Sequence, residues 1–360
     1  MAPSYFHPLT VASVEPIADD AIGITLAIPA ALRETFAHRA GQYVAVRRLI
    51  AGREERRTYS IVTTPGNPLL KVGVRVQPNG RMSKDLRDSL RCGDVLEVSA
   101  PTGRFHTLID PLRERSYVAF AAGSGITPVL SLAADILARE PSSRFTLIYG
   151  NRSMSRTMFL EDTLAIKNRY LHRFAVFFVM SREPQHSELL NGRIDGAKVQ
   201  ELARRIPELA AADEYFVCGP DSMALELRTA IKEINDDAPI RCERFAVGGV
   251  SPAKAPDTVP SAPARELLAT IGVTLDGRRR TFVMAPEDVS VLDSAERAGL
   301  QLPFSCRSGI CATCRVRIIQ GKATMMHNIA LAPWELEAGF LLCCQARPTT
   351  PTLELSYDEK

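Results

Sequence analysis

A chain of 360 residues is too long for one ordinary core and suggests two or three domains of roughly 100–150 residues each. Its 46% hydrophobic and 24% charged residues read as globular. A net charge of +3 argues neither for nor against nucleic acid, and no dense basic run stands out. The nearest, Arg278-Arg279-Arg280, reads as a solvated turn after Asp276-Gly277, so neither nucleic acid nor membrane is an expected partner. The most apolar run, Phe174 to Met180, is far below the roughly 20 residues of a spanning helix.

From about Leu9 to Val98, short β-like runs follow one another: "LTVASVEPI", "IGITLAI", "YVAVRRL", "RTYSIV", "LKVGVRV" and "VLEVSA". Gly, Pro and Asp separate them, which predicts an antiparallel sheet or barrel over residues 1–110. One helix, about 82–90, interrupts the pattern. Between 116 and 245 the rhythm changes. "YVAFAAG", "RFTLIYG", "FAVFFVM" and "EYFVCG" alternate with helix-length segments at 127–139, 156–170, 197–206 and 221–234. That alternation predicts a parallel sheet with helices on both faces over residues 111–247. Residues 248–264, "GGVSPAKAPDTVPSAPA", have a linker's composition and would span roughly 50 Å as polyproline. A compact segment, 265–360, follows.

Cysteines divide unevenly. Of eight, Cys92, Cys218 and Cys242 are scattered, while Cys306, Cys311, Cys314, Cys343 and Cys344 crowd the last 55 residues. "MAPSYFHPLT" has neither a basic nor an apolar region of a signal peptide, so a cytoplasmic location is expected. There, a local cysteine cluster is a metal site before it is a disulfide framework. Cys306, Cys311 and Cys314 form C-x4-C-x2-C, with Cys344 after 29 intervening residues, the plant-type spacing for a [2Fe–2S] cluster. A zinc ribbon would present two separated C-x2-C pairs instead. A tight loop through Ser308 and Gly309 would bring backbone N–H groups to the sulfurs.

"PFSCRSGICATC" and "GFLLCCQA" make this last segment resemble a plant-type ferredoxin throughout. The family pattern selects Cys344 as fourth ligand and leaves Cys343 a buried bystander. Arg57-Thr58-Tyr59-Ser60 and Gly80-Arg81-Met82-Ser83 resemble the R-x-Y-S and G-x-x-S motifs of the ferredoxin–NADP reductase superfamily, which implies FAD. The chemistry suits them. Tyr59 offers a face to the isoalloxazine ring, Ser60 a hydrogen bond near flavin N5, and Arg57 a fork for pyrophosphate. The start of the helix at Gly80–Ser83 would receive phosphate oxygens. "PTGRF" (101–105) matches the family's loop at the end of the barrel. Gly123-Ser124-Gly125-Ile126-Thr127-Pro128 is not the Rossmann G-x-G-x-x-G but resembles the superfamily's G-x-G-x-T-P. "YGNR", with Asn151 and Arg152, and Cys218-Gly219-Pro220 fall at strand carboxyl ends, where open α/β sheets bind ligands. The resemblance places Cys218 beside the reacting nicotinamide carbon. Arg152 and Arg156, with no acidic residue before Glu161, favour the 2′-phosphate of NADPH, NADH being the alternative. Cys92 and Cys242 match no motif and read as structural.

The whole order resembles the reductase components of multicomponent oxygenases that carry a C-terminal ferredoxin. "FTLIYGNRS", "ELLNGRIDG" and "ERF" extend the likeness to reductase subunits of the phenylacetyl-CoA epoxidase type. The resemblance implies a multidomain α+β and α/β protein: an antiparallel FAD-binding β-barrel, a parallel-sheet nicotinamide-binding domain and a β-grasp ferredoxin. It implies an NADPH-dependent reductase serving an oxygenase component, with Tyr59, Ser60 and Cys218 as catalytic residues. Glu243-Arg244-Phe245 is expected to shield the flavin face. Two alternatives stand beside this reading: a reductase for another acceptor (a Rieske-type or other ring hydroxylase, a steroid or acyl hydroxylase, or a hybrid-cluster protein), and a redox sensor without turnover.

Overall fold

The computed structural model describes residues 6–245, 268–309, 311–331 and 333–359. The chain divides into two compact units, Met1–Gly249 and Val250–Lys360. The expected linker, 248–264, lies outside the described residues.

The first unit opens with six antiparallel strands: β1 (Phe6–Ala18), β2 (Ala21–Ala27), β3 (Tyr43–Ile50), β4 (Arg53–Ser60), β5 (Leu69–Arg75) and β6 (Val95–Ser99). Their order is β4-β3-β6-β1-β2-β5. A bridge between Ile61 and Val72, just beyond β4, joins the two outer strands and closes the barrel. The period of two along each strand turns Leu9, Val11, Ile22, Ile24, Val44, Val46, Val72, Val74, Leu96 and Val98 into one core. Helix α1 (Arg81–Ser89) packs on that core through Met82, Leu86 and the following Leu90, spaced four apart on one face.

A five-stranded parallel sheet follows: β7 (Ser116–Ala122), β8 (Arg144–Asn151), β9 (Phe174–Met180), β10 (Glu214–Pro220) and β11 (Ile240–Phe245), ordered β11-β10-β7-β8-β9. Both faces of β7 are buried, which is why it reads as an unbroken apolar run. Tyr117, Ala119 and Ala121 pack toward helix α2 (Ile126–Arg139), with α3 (Leu160–Arg169) on the same side. Val118 and Phe120 pack toward α4 (Gly196–Arg205) and α5 (Asp221–Ile234). Strand β11 was not among the expected elements.

The expected border at 110/111 crosses a continuous core. Ala21, Ala40, Val62 and Phe105 from the barrel side pack in one cluster with Leu132, Phe216 and Cys218. Barrel and parallel sheet therefore form one body.

The second unit holds β12 (Ala269–Leu275), β13 (Arg278–Met284), α6 (Val291–Arg297), β14 (Arg315–Gln320), β15 (Ala323–Met325), α7 (Pro333–Glu337), β16 (Phe340–Leu342), β17 (Ala346–Pro348) and β18 (Thr352–Ser356). The main sheet runs β13-β12-β18-β14-β16, and α6 lays Val291, Leu292 and Ala295 into its core. Asp276 and Gly277, at positive φ, turn β12 into β13, and the arginine triplet opens that strand with Arg279 paired to Glu354. Among the described residues, no helix is long and apolar enough to cross a membrane.

Candidate active site

Arg57, Thr58, Tyr59 and Ser60 end β4, where pairing with β3 (Tyr59 opposite Val44) fixes their alternation. Ser60 is buried. Tyr59 is half-buried, and burial pushes its phenol well above the ordinary value, so it stays neutral. Arg57 and Arg81 both pair with Glu55, at 3.1 and 3.4 Å. Glu55 has a side chain only 10% exposed and holds two guanidinium forks together near the start of α1. No side chain caps that helix start at Gly80, and Ser83 Oγ instead accepts from Gln77 N at 3.1 Å. Two forks beside uncapped helical N–H groups are a donor set that fits a pyrophosphate. Met82 differs from its neighbours: its side chain is buried in the barrel core, leaving its backbone alone for a ligand.

The loop Gly123–Gly125 leaves β7 and enters α2. Gly123 has φ +55°, its carbonyl lies 3.0 Å from Tyr149 OH, and Thr127 Oγ1 donates to Ser124 O at 2.9 Å. Ile126 and Pro128 are buried in the first turn of α2. Gly125 passes over the end of β10 so closely that a Cβ would sit 2.1 Å from the Cys218 carbonyl oxygen. Only glycine permits that approach, and it sets this loop against the Cys218-Gly219-Pro220 strand end.

Residues from three strands meet there. Ser60 Oγ donates to Glu243 Oε2 at 3.4 Å, and Cys218 Sγ lies 4.0 Å from the same oxygen. Glu243 arrives because β11 pairs in parallel with β10, placing it opposite Cys218. Burial raises the Glu243 carboxyl to about 8, against the opposing pull of the Ser60 hydrogen bond. Burial, and then the Glu243 charge, push the Cys218 thiol well up. Both groups are therefore neutral at pH 7. The sequence suggested only a shielding role for Glu243-Arg244-Phe245; the structure gives Glu243 a place beside two of the three expected catalytic residues, Ser60 and Cys218. Arg244 pairs with Asp221 at 2.9 Å, and the Phe245 side chain lies outside the described residues.

At the far ends of β8 and β9, buried Asn151 and exposed Arg152 are followed across the sheet by Arg182, whose N–H donates to Arg152 O at 2.9 Å. Neither the Arg152 nor the Arg182 guanidinium has an ion-pair or hydrogen-bond partner among the described residues. Partial desolvation and the charges of Arg156 and Arg182 lower the Arg152 pKa. Arg182, absent from the sequence-based candidates, was signalled only by its place after a third apolar strand. Arg156, expected to stand ready for a phosphate, is instead ion-paired to Asp20 of the barrel.

In the second unit the thiols stand as two neighbouring pairs: Cys306 with Cys311, and Cys314 with Cys344. The N–H groups of Ser308 and Cys311 point at Cys306 Sγ at 3.4 Å, and Gln345 Nε2 at Cys344 Sγ at 3.7 Å. Among the described residues no three of these side chains converge on a single point. Two pairs with donors aimed at the sulfurs fit a two-iron cluster, which takes two thiolates at each iron, and not a single tetrahedral zinc. Gly309, at φ +76°, turns this loop where a Cβ would lie 2.8 Å from His327 O. Cys343 is fully buried, and burial pushes its thiol to about 12 despite the opposing pull of the neighbouring Tyr357 hydroxyl. Cys92 and Cys242 are both exposed rather than packed in a core.

Residues 8–107 match the Oxidoreductase FAD-binding domain family, 120–229 the Oxidoreductase NAD-binding domain, and 273–349 the 2Fe-2S iron-sulfur cluster binding domain. The chain is 39% identical over 358 residues to a 1,2-phenylacetyl-CoA epoxidase subunit from Escherichia coli (strain K12), covering 99% of this chain and 98% of that one. It is 29% identical to the ferredoxin reductase component of 3-ketosteroid-9-alpha-monooxygenase from Rhodococcus rhodochrous, over 97% and 96% of the two chains. Phthalate dioxygenase reductase, a solved structure, shares the fold at TM-score 0.56 and 23% identity over 98% of each chain. By these likenesses the chain belongs to the family of the 1,2-phenylacetyl-CoA epoxidase reductase subunit, oxidoreductases built on an FAD, a nicotinamide nucleotide and a [2Fe–2S] cluster.

Proposed function

We propose that this chain takes electrons from NADPH and delivers them to an oxygenase partner that acts on phenylacetyl-CoA. The observation carrying this reading is the meeting of Ser60, Cys218 and Glu243, which joins the expected flavin strand to the expected nicotinamide strand. When bound, the flavin takes two electrons as a hydride and gives them up singly, and the cluster passes one at a time.

The residues divide the remaining work. Arg57 and Arg81, held by Glu55, bind the FAD pyrophosphate with the Gly80–Ser83 helix start, while Thr58 and Tyr59 lie along the isoalloxazine and Ser60, releasing its single proton from Glu243, donates toward N5. Gly123 to Pro128 takes the coenzyme pyrophosphate, and Cys218, Gly219 and Pro220 wall the nicotinamide. Asn151 orients the adenosine end, while Arg152 and Arg182 supply charge for a 2′-phosphate, which favours NADPH over NADH. Cys306, Cys311, Cys314 and Cys344 hold the cluster. A reducing cytoplasm would keep these thiols available to the cluster.

The test is anaerobic absorbance during titration with NADPH and then NADH, followed by turnover with an oxygenase component and phenylacetyl-CoA. Bleaching of flavin and cluster bands at lower NADPH than NADH, with an epoxidised product, supports the proposal. A protein that neither nucleotide reduces defeats it. Full reduction without product when phenylacetyl-CoA is supplied would shift the acceptor to another oxygenase, such as a steroid hydroxylase.

A further inference from the structure

The turn between β1 and β2 grips the loop that follows β8. The two oxygens of Asp20 each take one arginine: Oδ1 from Arg75 at the end of β5, Oδ2 from Arg156. Arg75 Nη2 also donates to the Arg156 carbonyl at 3.0 Å. Beside this pair, Asp19 N donates to Ser155 O at 3.0 Å, and Ser155 Oγ returns a hydrogen bond to Asp19 Oδ2 at 2.6 Å. The contact continues through apolar packing. Phe159 is buried at φ +55°, an unfavourable conformation for a bulky residue, and its ring edge presses on Gly73 of β5. Lys71 lies 5.3 Å over that ring and 3.8 Å from Asp162. Strain of this kind persists only where the surroundings over-determine it.

Apart from the Asp20–Arg75 pair, which lies within the barrel and braces the turn, each of these contacts crosses from barrel to parallel sheet. They sit where the sheet's coenzyme-facing strand ends meet the barrel, and the Arg75 guanidinium is 3.8 Å from where a Cβ on Gly123 would lie. Hydride transfer needs donor and acceptor atoms about 3–3.5 Å apart, so the orientation of one domain on the other is part of the reaction geometry. We propose that Asp20 is a positioning residue: it clamps Arg156 and Arg75 so that the nicotinamide held by the sheet meets the flavin held by the barrel. Arg156 is then part of a domain clamp and not the 2′-phosphate ligand suggested by its sequence position. The proposal rests on the reductase reading above and adds a role for a residue outside the expected cofactor-binding motifs.

Three variants test it: Asp20→Asn, Arg156→Ala and the charge exchange Asp20→Arg with Arg156→Asp. In stopped-flow reduction, Asp20→Asn and Arg156→Ala should each lower the limiting rate about tenfold or more, equally for NADPH and NADH, with flavin and iron contents unchanged. The charge exchange should recover part of the loss. An Arg156→Ala protein that loses NADPH affinity while keeping NADH affinity, or an Asp20→Asn protein with an unchanged limiting rate, overturns the clamp. Amide hydrogen exchange over 153–157 needs no turnover. Faster exchange there in Asp20→Asn supports the clamp even if neither nucleotide reduces the flavin, and unchanged exchange refutes it.

Discussion

Ser60 and Glu243 are 183 residues apart in sequence, yet the Ser60 hydroxyl donates to the Glu243 carboxyl at 3.4 Å across the seam between barrel and parallel sheet. The carboxyl is protonated at neutral pH because burial raises it to about 8. On the proposed placement of flavin and nicotinamide, hydride arrival adds negative charge here, so a neutral carboxyl permits it and a carboxylate opposes it. The rate of flavin reduction by coenzyme should therefore be highest below pH 8 and fall as pH rises through that value. Glu243→Gln should flatten the profile in stopped-flow measurements; a wild-type rate that climbs above pH 8 would contradict the assignment.

The same group makes a stability prediction with a definite sign. Its folded value exceeds the ordinary carboxyl value of 4.5, so the folded state holds the extra proton between about pH 4.5 and 8. Stability contributed by Glu243 is thus present at low pH and lost as pH rises, by at most ~1.4 kcal/mol per pH unit within that window. Chemical unfolding of the flavin-free protein at several pH values, compared with Glu243→Gln, measures the slope. A variant with the same slope as wild type would rule Glu243 out as its source.

What the sequence revealed and what it hid follow from where each residue gets its partners. β7 to β10 were legible because strands buried on both faces read as apolar runs, and the glycine loops were legible because they stand at strand ends. β11, "IRCERF", was not. It pairs on one side only, with β10, and alternates charged and apolar residues like an exposed edge. Missing it concealed that Glu243 faces Cys218. The Asp20–Arg156 pair was hidden for a similar reason, since its members are 136 residues apart and nothing local announces the pairing. The cysteine spacing, by contrast, is local, and three of the four expected ligands come from one loop.

Cys343 and Cys344 are adjacent but face different surroundings. Cys344 Sγ receives Gln345 Nε2 at 3.7 Å and neighbours Cys314, whereas Cys343 is enclosed and meets Tyr357. Cys344→Ser should abolish the iron–sulfur absorbance and the bound iron. Cys343→Ser should retain both, with a modest stability loss of about 1–2 kcal/mol from a buried polar group. Iron and sulfide assays on the two proteins decide it, and the opposite pattern would move the fourth ligand to Cys343.

Arg152 and Arg182 stand together at the strand ends with no anionic partner on either guanidinium among the described residues. A charge-assisted hydrogen bond to a phosphate is worth about 1.5–3 kcal/mol, or roughly 10- to 100-fold in kcat/KM. Arg182→Ala should lose that factor for NADPH and almost nothing for NADH, and raising salt should narrow the wild-type preference. Equal losses with both coenzymes would mean that the arginines act on a part the two share.

Gly125 offers the sharpest steric test. A methyl group there would lie 2.1 Å from the Cys218 carbonyl oxygen and 2.6 Å from its carbon. Both are backbone atoms of a strand end paired on each side, by β7 and β11, so neither can swing away as a side chain would. Either the loop lifts from β10 or the end of β10 shifts, at a cost of about 1–3 kcal/mol. Gly125→Ala should therefore lower the unfolding temperature of the first unit and weaken binding of both coenzymes about tenfold. FAD content should stay intact, because the expected flavin contacts lie on β4 and α1 rather than on this loop. Flavin absorbance changes on adding oxidised coenzyme, together with calorimetry, read both effects. Full coenzyme affinity in Gly125→Ala would show that the loop can move off β10 without disturbing the site, and that its closeness to Cys218 serves packing and not the reaction.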